Sequence, residues 1–288
     1  MTIDPVDGSS LFHSEAMQKI IRVVERIAAT EVAVLLTGES GTGKELIADL
    51  IHIRSGRPNI SKISSSALEP KPLDDICAET QGGTLFMRDL CELPSYTQGT
   101  LLSWLDKQGS PLAPRIIAAT SQKPEDAVKK GTLLAELYYR INGIRLHLPP
   151  LRERREDIMP FAEAFLKRFA DDARRPIRGF TPAAAELLDR FYWPGNVSQL
   201  QNEIHRAVLL GEGDQIDAPH LSIFSSTDSK AGSDEPQDTN FTFLKDVERN
   251  AIVQMLKETG GNKQETARRL GIGRQTLYNK IKAYQIEI

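Results

Sequence analysis

Behind Ser14, a residue suited to cap a helix, apolar side chains recur at Met17, Ile20, Ile21, Val24 and Ile27, a spacing that predicts an amphipathic helix over residues 14–29. The unbroken apolar run Val32-Ala33-Val34-Leu35-Leu36 predicts a buried strand, and helical spacing returns over residues 45–52. Residues 60–65 read as a short second strand, and Gly82-Gly83-Thr84-Leu85-Phe86-Met87-Arg88-Asp89 as a turn entering another buried one. Leu101 to Leu105 belong to a helix, and Pro114 to Thr120 form a further strand. Strands alternating with helices predict an α/β core, a parallel sheet covered on both faces.

Leu148-Pro149-Pro150-Leu151-Arg152 ends that alternation. From about Asp157 to Gly211 the pattern is helical, punctuated at Pro176–Gly179 and at Trp193-Pro194-Gly195-Asn196, which predicts a small helical subdomain. Residues 225–240 are rich in Ser and Asp and nearly lack large apolar side chains, so they read as a flexible linker. Helical patterning resumes over residues 241–288, and no internal repeat is visible.

At 288 residues the size prior is about two domains, and 40% hydrophobic with 26% charged residues is the balance of a soluble globular chain. No apolar run reaches the length of a membrane span, and the first residues, with Asp4 and Asp7, do not form a signal peptide. Cys77 and Cys91 lack metal-ligand spacing, so reduced thiols and a cytoplasmic location are expected, with no metal site built from cysteine. The net charge of −3 hides an asymmetry: residues 260–288 carry six basic side chains against two acidic ones, a local charge of +4.

The chemistry concentrates at Gly38-Glu39-Ser40-Gly41-Thr42-Gly43-Lys44. Strand, glycine-rich turn and helix with G-x-x-x-x-G-K at the turn make a phosphate-binding loop. The glycines let backbone N–H groups face phosphate oxygens, the helix N-terminus adds partial positive charge, and Lys44 supplies a mobile cation to the outer phosphates. Glycine-rich turns also arise for purely structural reasons; here strand, turn, lysine and helix fall in register. Position 45 is Glu, so the Ser or Thr hydroxyl that commonly holds Mg²⁺ is missing.

In the basic C-terminal segment, residues 262–272 fit a helix ending in a glycine turn, and residues 273–282 start a second one. Ala267, Leu270, Ile272, Leu277 and Ile281 would clamp the two at an angle as a helix-turn-helix, its second helix suited to the major groove. Gln275, Thr276 and Asn279 are candidate base readers, Arg274, Lys280 and Lys282 candidate phosphate anchors, and Tyr278 shares their helix. A basic helical hairpin docking onto protein is the alternative.

Four motifs carry a family resemblance: Gly38–Lys44 with Glu45; Gly82-Gly83-Thr84-Leu85-Phe86; Leu148-Pro149-Pro150-Leu151-Arg152-Glu153-Arg154 with Glu156-Asp157-Ile158; and Tyr192-Trp193-Pro194-Gly195-Asn196-Val197. In this order they resemble the AAA+ module of sigma-54-dependent transcriptional activators of the NtrC type, and the C-terminal segment resembles their Fis-type helix-turn-helix. The resemblance implies a P-loop AAA+ core (residues 1–150), a helical lid (151–224), a linker (225–240) and an all-α DNA-binding domain (241–288). It further implies binding of ATP or another nucleotide by Gly38–Glu45, assembly as homo- or hetero-oligomeric rings, and double-stranded DNA with RNA polymerase or a related AAA+ regulator as partners. No receiver or sensory domain precedes residue 10 in this sequence, so no phosphorylation switch is expected in it.

The departures from the family pattern matter as much. The family carries a long interval with a GAFTGA loop, which touches sigma-54, ahead of the Gly-Gly-Thr-Leu-Phe strand; here only residues 69–81 separate Ala67-Leu68 from Gly82, and no such sequence occurs. The family's strand ends in Asp-Glu, this one in Arg88-Asp89. By the resemblance the first carboxylate helps hold Mg²⁺ and the second orients the attacking water, so Arg88 would repel the metal and Asp89 falls one methylene short. Ser64 and Ser121 stand where asparagines are expected, Leu134 replaces one arginine finger while Arg140 matches the second, and Ser198 replaces the sensor arginine. Asp89 and Arg140 are the candidate catalytic residues that remain. Losing one finger alone costs about 10³-fold or more, so weak or absent hydrolysis is expected. Arg88 is open to two readings: a salt bridge to a neighbouring carboxylate in a decayed site, or a replacement for the Mg²⁺ charge that keeps nucleotide bound without turnover.

Overall fold

The computed structural model describes residues 9–65, 68, 70–106 and 113–223, together with 255, 259, 263, 266, 267 and 277. The chain divides into two compact units, Met1–Ser229 and Lys230–Ile288.

The first unit opens with α1 (Glu15–Ile27), capped by Ser14, and buries Met17, Ile20, Ile21, Val24 and Ile27, the five positions that the periodicity picks out. β1 (Val34–Thr37) is buried throughout but starts two residues later than the apolar run suggests. Val32 is exposed, and its carbonyl accepts from the Arg115 guanidinium (Nε, 3.3 Å). That guanidinium also donates to Ala28 O (2.6 Å) and to Ile27 O (3.0 Å), the latter already accepting from Thr30 N and Oγ1, and so ties down the end of α1. Its burial pulls the Arg115 pKa down to about 10.

The core continues through α2 (Lys44–Ser55), β2 (Ile60–Ser64), α3 (Pro70–Glu79), β3 (Thr84–Arg88), α4 (Ser95–Asp106), β4 (Arg115–Thr120), α5 (Pro124–Lys129), α6 (Ala135–Ile141) and β5 (Ile144–His147). The strands form one parallel sheet in the order β2-β3-β4-β1-β5. Side chains alternate across it, as the pleat requires. Val34, Leu36, Phe86, Ile117 and Ala119 join α1, α2 and the helices after β5 in one cluster. Leu35, Leu85, Met87, Ile116 and Ala118 join residues of α3, α4, α5 and α6 in another. Cys77 and Cys91 are buried in that second cluster and are not joined in a disulfide. Crossing to the far edge, β1 pairs Val34–Thr37 with Ile144–His147 of β5.

Past β5, α7 (Ile158–Asp172), α8 (Pro182–Arg190) and α9 (Asn196–Leu210) make the predicted helical subdomain. Phe161, Phe165 and Phe169 recur every four residues on α7 and line up along one face, with neighbouring ring centroids 6.0 and 6.2 Å apart. Fully buried Trp193 donates from Nε1 to Leu188 O (2.8 Å), tying the end of α8 to the turn before α9. Asp157, at the start of α7, accepts from His13 N (2.6 Å), Ser14 N (2.7 Å) and Ser14 Oγ (2.8 Å), which fixes the beginning of α1.

In the second unit Ala267 and Leu277 are buried, two of the five side chains assigned to the helix-turn-helix clamp. Thr259 Oγ1 donates to Met255 O at 2.8 Å and lies 2.6 Å from Thr266 Oγ1. The candidate DNA-contacting residues Arg274, Gln275, Thr276, Tyr278, Asn279, Lys280 and Lys282 lie outside the described residues. Among the described residues no helix is long and apolar enough to cross a membrane.

Candidate functional site

The loop from Gly38 to Gly43 leaves the carboxyl end of β1 and delivers Lys44 as the first residue of α2. Gly38, Gly41 and Gly43 take φ of 143°, 77° and 95°, conformations that disfavour any side chain. The space is as strict as the dihedrals: a Cβ on Gly38 would lie 2.5 Å from Leu148 O, and one on Gly41 2.4 Å from Gly195 O. Gly43 caps α2 without a side-chain hydrogen bond, so the helix N-terminus presents N–H groups to the loop's hollow. Thr42 Oγ1 donates to Glu39 O (2.9 Å) and stiffens the turn. Lys44 Nζ donates to Gly38 O and Glu39 O, both at 2.7 Å, and burial lowers its pKa against the opposing charges of Asp89 and Glu39.

The loop's outer rim is held by the residues after β5. Val197 N donates to Gly41 O (3.0 Å), and Asn196 Nδ2 donates to Ser40 O (2.9 Å) and Glu39 Oε2 (3.1 Å). Asn196 Oδ1 accepts from Leu151 N (2.8 Å), so one buried amide ties three segments together. Its φ of 52° is one that Asn tolerates better than most residues. Arg152 grips both oxygens of Glu39 (2.6 and 2.8 Å) and lies over the Tyr192 ring, 4.9 Å from its centroid. That fork, opposed by burial and helped by Asn196, holds the Glu39 carboxyl below its ordinary value. Arg154, fully buried, donates to Thr42 O (2.5 Å), and burial pushes its pKa down to about 10.

The strand-end corner is built differently. Glu45, following Lys44, lies between two cations: Lys62 Nζ at 3.0 Å and Arg88 Nη1 at 3.8 Å. Lys62 also binds Asp49 (2.7 Å). Burial raises the Asp49 pKa against this partner; burial works against the Lys62 ammonium too, but its hydrogen bonds to Asp49 and Glu45 outweigh that and raise its pKa. Asp89, in the left-handed region at φ 59°, turns the chain out of β3, and its charge is felt at Lys44. Ser64 ends β2, while Ser121 and Ser198 are exposed. A side chain on Gly41 would meet Ser198 Oγ at 3.1 Å, which puts the position of the missing sensor arginine against the loop. Leu134 is exposed at the start of α6, and Arg140, half exposed in the last turn of α6, pairs with Asp106 at the end of α4 (2.7 Å).

Of the sequence-based candidates, the structure therefore gathers Gly38–Glu45 and Asp89 at one corner and joins Arg140 to Asp106. The residues that sequence reasoning did not assign to the site are Lys62, Asn196 and the Arg152 and Arg154 side chains. The last three lay in quoted motifs; Lys62 carried no signal, because a lone lysine in a short strand reads as a solvated position.

Three family models match the chain in order: the sigma-54 interaction domain over residues 11–151, the AAA+ ATPase lid domain over residues 152–238, and the bacterial regulatory protein, Fis family, over residues 243–284. The transcriptional regulatory protein ZraR of Klebsiella oxytoca is 36% identical over 298 residues, covering 93% of this chain and 67% of its own length. The regulatory protein AtoC of Escherichia coli K12 is 34% identical, covering 97% and 68%, so the chain spans about two thirds of each relative. Among solved structures, NtrX from Brucella abortus in complex with ATP aligns with a TM-score of 0.67 at 26% identity, covering 95% of this chain and 68% of that one. The Thermotoga maritima RuvB branch migration motor aligns at 0.56 with 19% identity, covering 94% and 86%, a likeness of fold alone. The phosphate loop, the parallel sheet and the helical lid are those of a P-loop AAA+ fold, followed by a Fis-type helix-turn-helix segment.

Proposed function

The chain belongs to the sigma-54 interaction-domain family of NtrC-type, DNA-binding transcriptional regulators, and from that membership we propose a regulator that binds nucleotide and DNA but does not drive sigma-54 remodelling by ATP hydrolysis. The observation that carries this reading is the connection between β2 and β3. It spans residues 65–83, and the ten residues of α3 (Pro70–Glu79) occupy most of it, which leaves no length for the family's sigma-54 contact loop. The altered residues at Arg88, Ser121, Leu134 and Ser198 support weak turnover. ATP or a related nucleotide would be held by the backbone N–H groups of Gly38–Lys44 and by the Lys44 ammonium; NtrX, which shares the fold, has been crystallised with ATP.

In this reading residues 1–150 are the nucleotide-binding core, 151–224 the lid and 225–240 a linker. Residues 241–288 bind double-stranded DNA through Arg274, Gln275, Thr276, Tyr278, Asn279, Lys280 and Lys282. The protein acts in the cytoplasm as a homo- or hetero-oligomer, on RNA polymerase or beside a related AAA+ regulator. A second reading, a subunit that tunes a related ring, is favoured by the exposure of Tyr139 and Arg140 on α6 and of Leu134 just before it.

The test pairs nuclease protection across promoter fragments with phosphate release from ATP. A discrete protected segment with background release is expected. Release that is abolished by Lys44→Ala would make the chain a working ATPase, and failure to protect any fragment would remove the DNA-binding regulator reading. Co-purification of an intact family member would favour the second reading.

A further inference from the structure

Mg²⁺ is the ion that the fold family implies beside the outer phosphates, and the residues here do not fit it. Where a hydroxyl and an aspartate are expected, the chain places Glu45 and Arg88, with Arg88 Nη1 3.8 Å from Glu45 Oε2. Glu45 is not available as a substitute ligand, because Lys62 Nζ lies 3.0 Å from its other oxygen. Asp49, the next carboxylate along the same face of α2, is taken by the same ammonium at 2.7 Å. A hard dication needs several oxygen ligands, and here it would find two carboxylates neutralised by Lys62, a guanidinium beside them, and Asp89, whose charge is felt at Lys44, as the one carboxylate left. The replacement is one of charge for charge: a fixed lysine and a half-exposed arginine now stand at the metal's corner.

Resting on the reading of Gly38–Lys44 as a nucleotide loop, we infer that this corner receives the outer phosphates of a nucleoside triphosphate without any divalent cation, Arg88 supplying the charge and Lys62 keeping Glu45 and Asp49 from repelling the ligand. The two cations have different parts. Lys62 holds two short contacts and has side-chain exposure of 28%, so it is a positioning residue. Arg88 has 52% side-chain exposure and one loose contact, which a surface arginine gives up at little cost, and its planar fork suits phosphate oxygens. Because a guanidinium binds phosphate oxygens through N–H donors and is not a Lewis acid as a metal is, the same exchange that preserves binding removes a requirement for turnover.

The experiment is a titration of the full chain with a fluorescent ATP analogue, in EDTA and in excess Mg²⁺, for the unaltered protein and for Arg88→Ala, Arg88→Asp and Lys44→Ala. Arg88 is half exposed, and thermal unfolding of its variants checks that they remain folded. The unaltered protein is expected to bind with affinities within about twofold in the two buffers, Arg88→Ala to lose about tenfold in EDTA, and Arg88→Asp to bind only when Mg²⁺ is added. A tenfold or greater gain on adding Mg²⁺ to the unaltered protein overturns the inference. Metal-independent binding that ignores Arg88→Ala overturns it too. In both cases loss of binding in Lys44→Ala leaves the loop reading standing. Absence of binding by the unaltered protein in either buffer overturns the loop reading and the inference with it.

Discussion

The rim of the phosphate loop that faces the lid and the corner that faces the strand ends are a few residues apart in sequence, yet they are built to opposite standards. On the lid side the carbonyls of Ser40, Gly41 and Thr42 each meet a donor from Asn196, Val197 or Arg154, and the Glu39 carboxylate is forked by Arg152. On the strand side Arg88 hangs 3.8 Å from Glu45, Leu134 and Ser121 are exposed, and Arg140 makes a surface pair with Asp106. Buried hydrogen bonds are expensive to disturb, whereas exposed ion pairs contribute little. The backbone that shapes the loop is therefore held where altering it would disturb the junction, and the departures at Arg88, Ser121 and Leu134 fall on exposed positions where substitution costs little, Ser198 being the one that departs on the lid side.

Three substitutions test this contrast. Asn196→Ala is expected to have the largest effect. It strands Leu151 N, frees Ser40 O and Glu39, and puts Ala at a φ of 52°, for a loss of about 3 kcal/mol. Thermal unfolding should fall by roughly 6–12 °C; a fall of only a degree or two would show that the lid-side junction is no better built than the strand side.

Arg152→Met should cost less, about 1 kcal/mol, since Glu39 is partly solvated and screening discounts the fork. Its effect should also depend on pH. Glu39 titrates below its ordinary 4.5 in the folded protein, so the fork's contribution is complete above that value and is lost as pH falls through the depressed pKa. The difference in melting temperature between the unaltered protein and Arg152→Met should accordingly shrink on acidification below pH 4.5. A difference that stays constant there would mean that Arg152 acts by packing on Tyr192 rather than by charge. Smallest of all, Arg140→Ala should change stability by no more than about 0.5 kcal/mol in chemical denaturation, because both partners in its ion pair are half exposed. A loss of several kcal/mol would mean that the strand side is as tightly held as the lid side.

Much of this could be read from the chain before any coordinates. The buried stripe of α1 and the strands at residues 60–65, 82–89 and 114–120 follow from local spacing of apolar residues, as do the three lid helices with their Pro and Gly boundaries. β5 escaped because it is a short edge strand in which Arg145 and His147 alternate with Ile144 and Leu146, so no continuous apolar run marks it. α3 escaped for a different reason: Pro70 and Pro72 stand at its start, where proline is tolerated, yet in sequence they read as a break. The lid-side junction was beyond reach altogether. Asn196 and Glu39 are 157 positions apart, and nothing in Trp193-Pro194-Gly195-Asn196 says which distant carbonyl its amide will meet. Buried Arg115 is a similar case, since a guanidinium at the head of a strand reads as a solvated end until the carbonyls of Ile27 and Ala28 are seen beside it.

The three hydrogen bonds from His13 and Ser14 to Asp157 also set a schedule for synthesis. Ser14 leaves the ribosome 143 residues ahead of the acid that secures it, an interval of roughly 7–30 s at ordinary elongation rates. During that time the start of α1 has its own cap but not Asp157, while its far end can already meet Arg115 and its stripe the sheet. The first turn of α1 thus waits on a residue from beyond β5, and a nascent chain stalled before residue 157 should be held by chaperones that one long enough to carry Asp157 clear of the ribosome escapes.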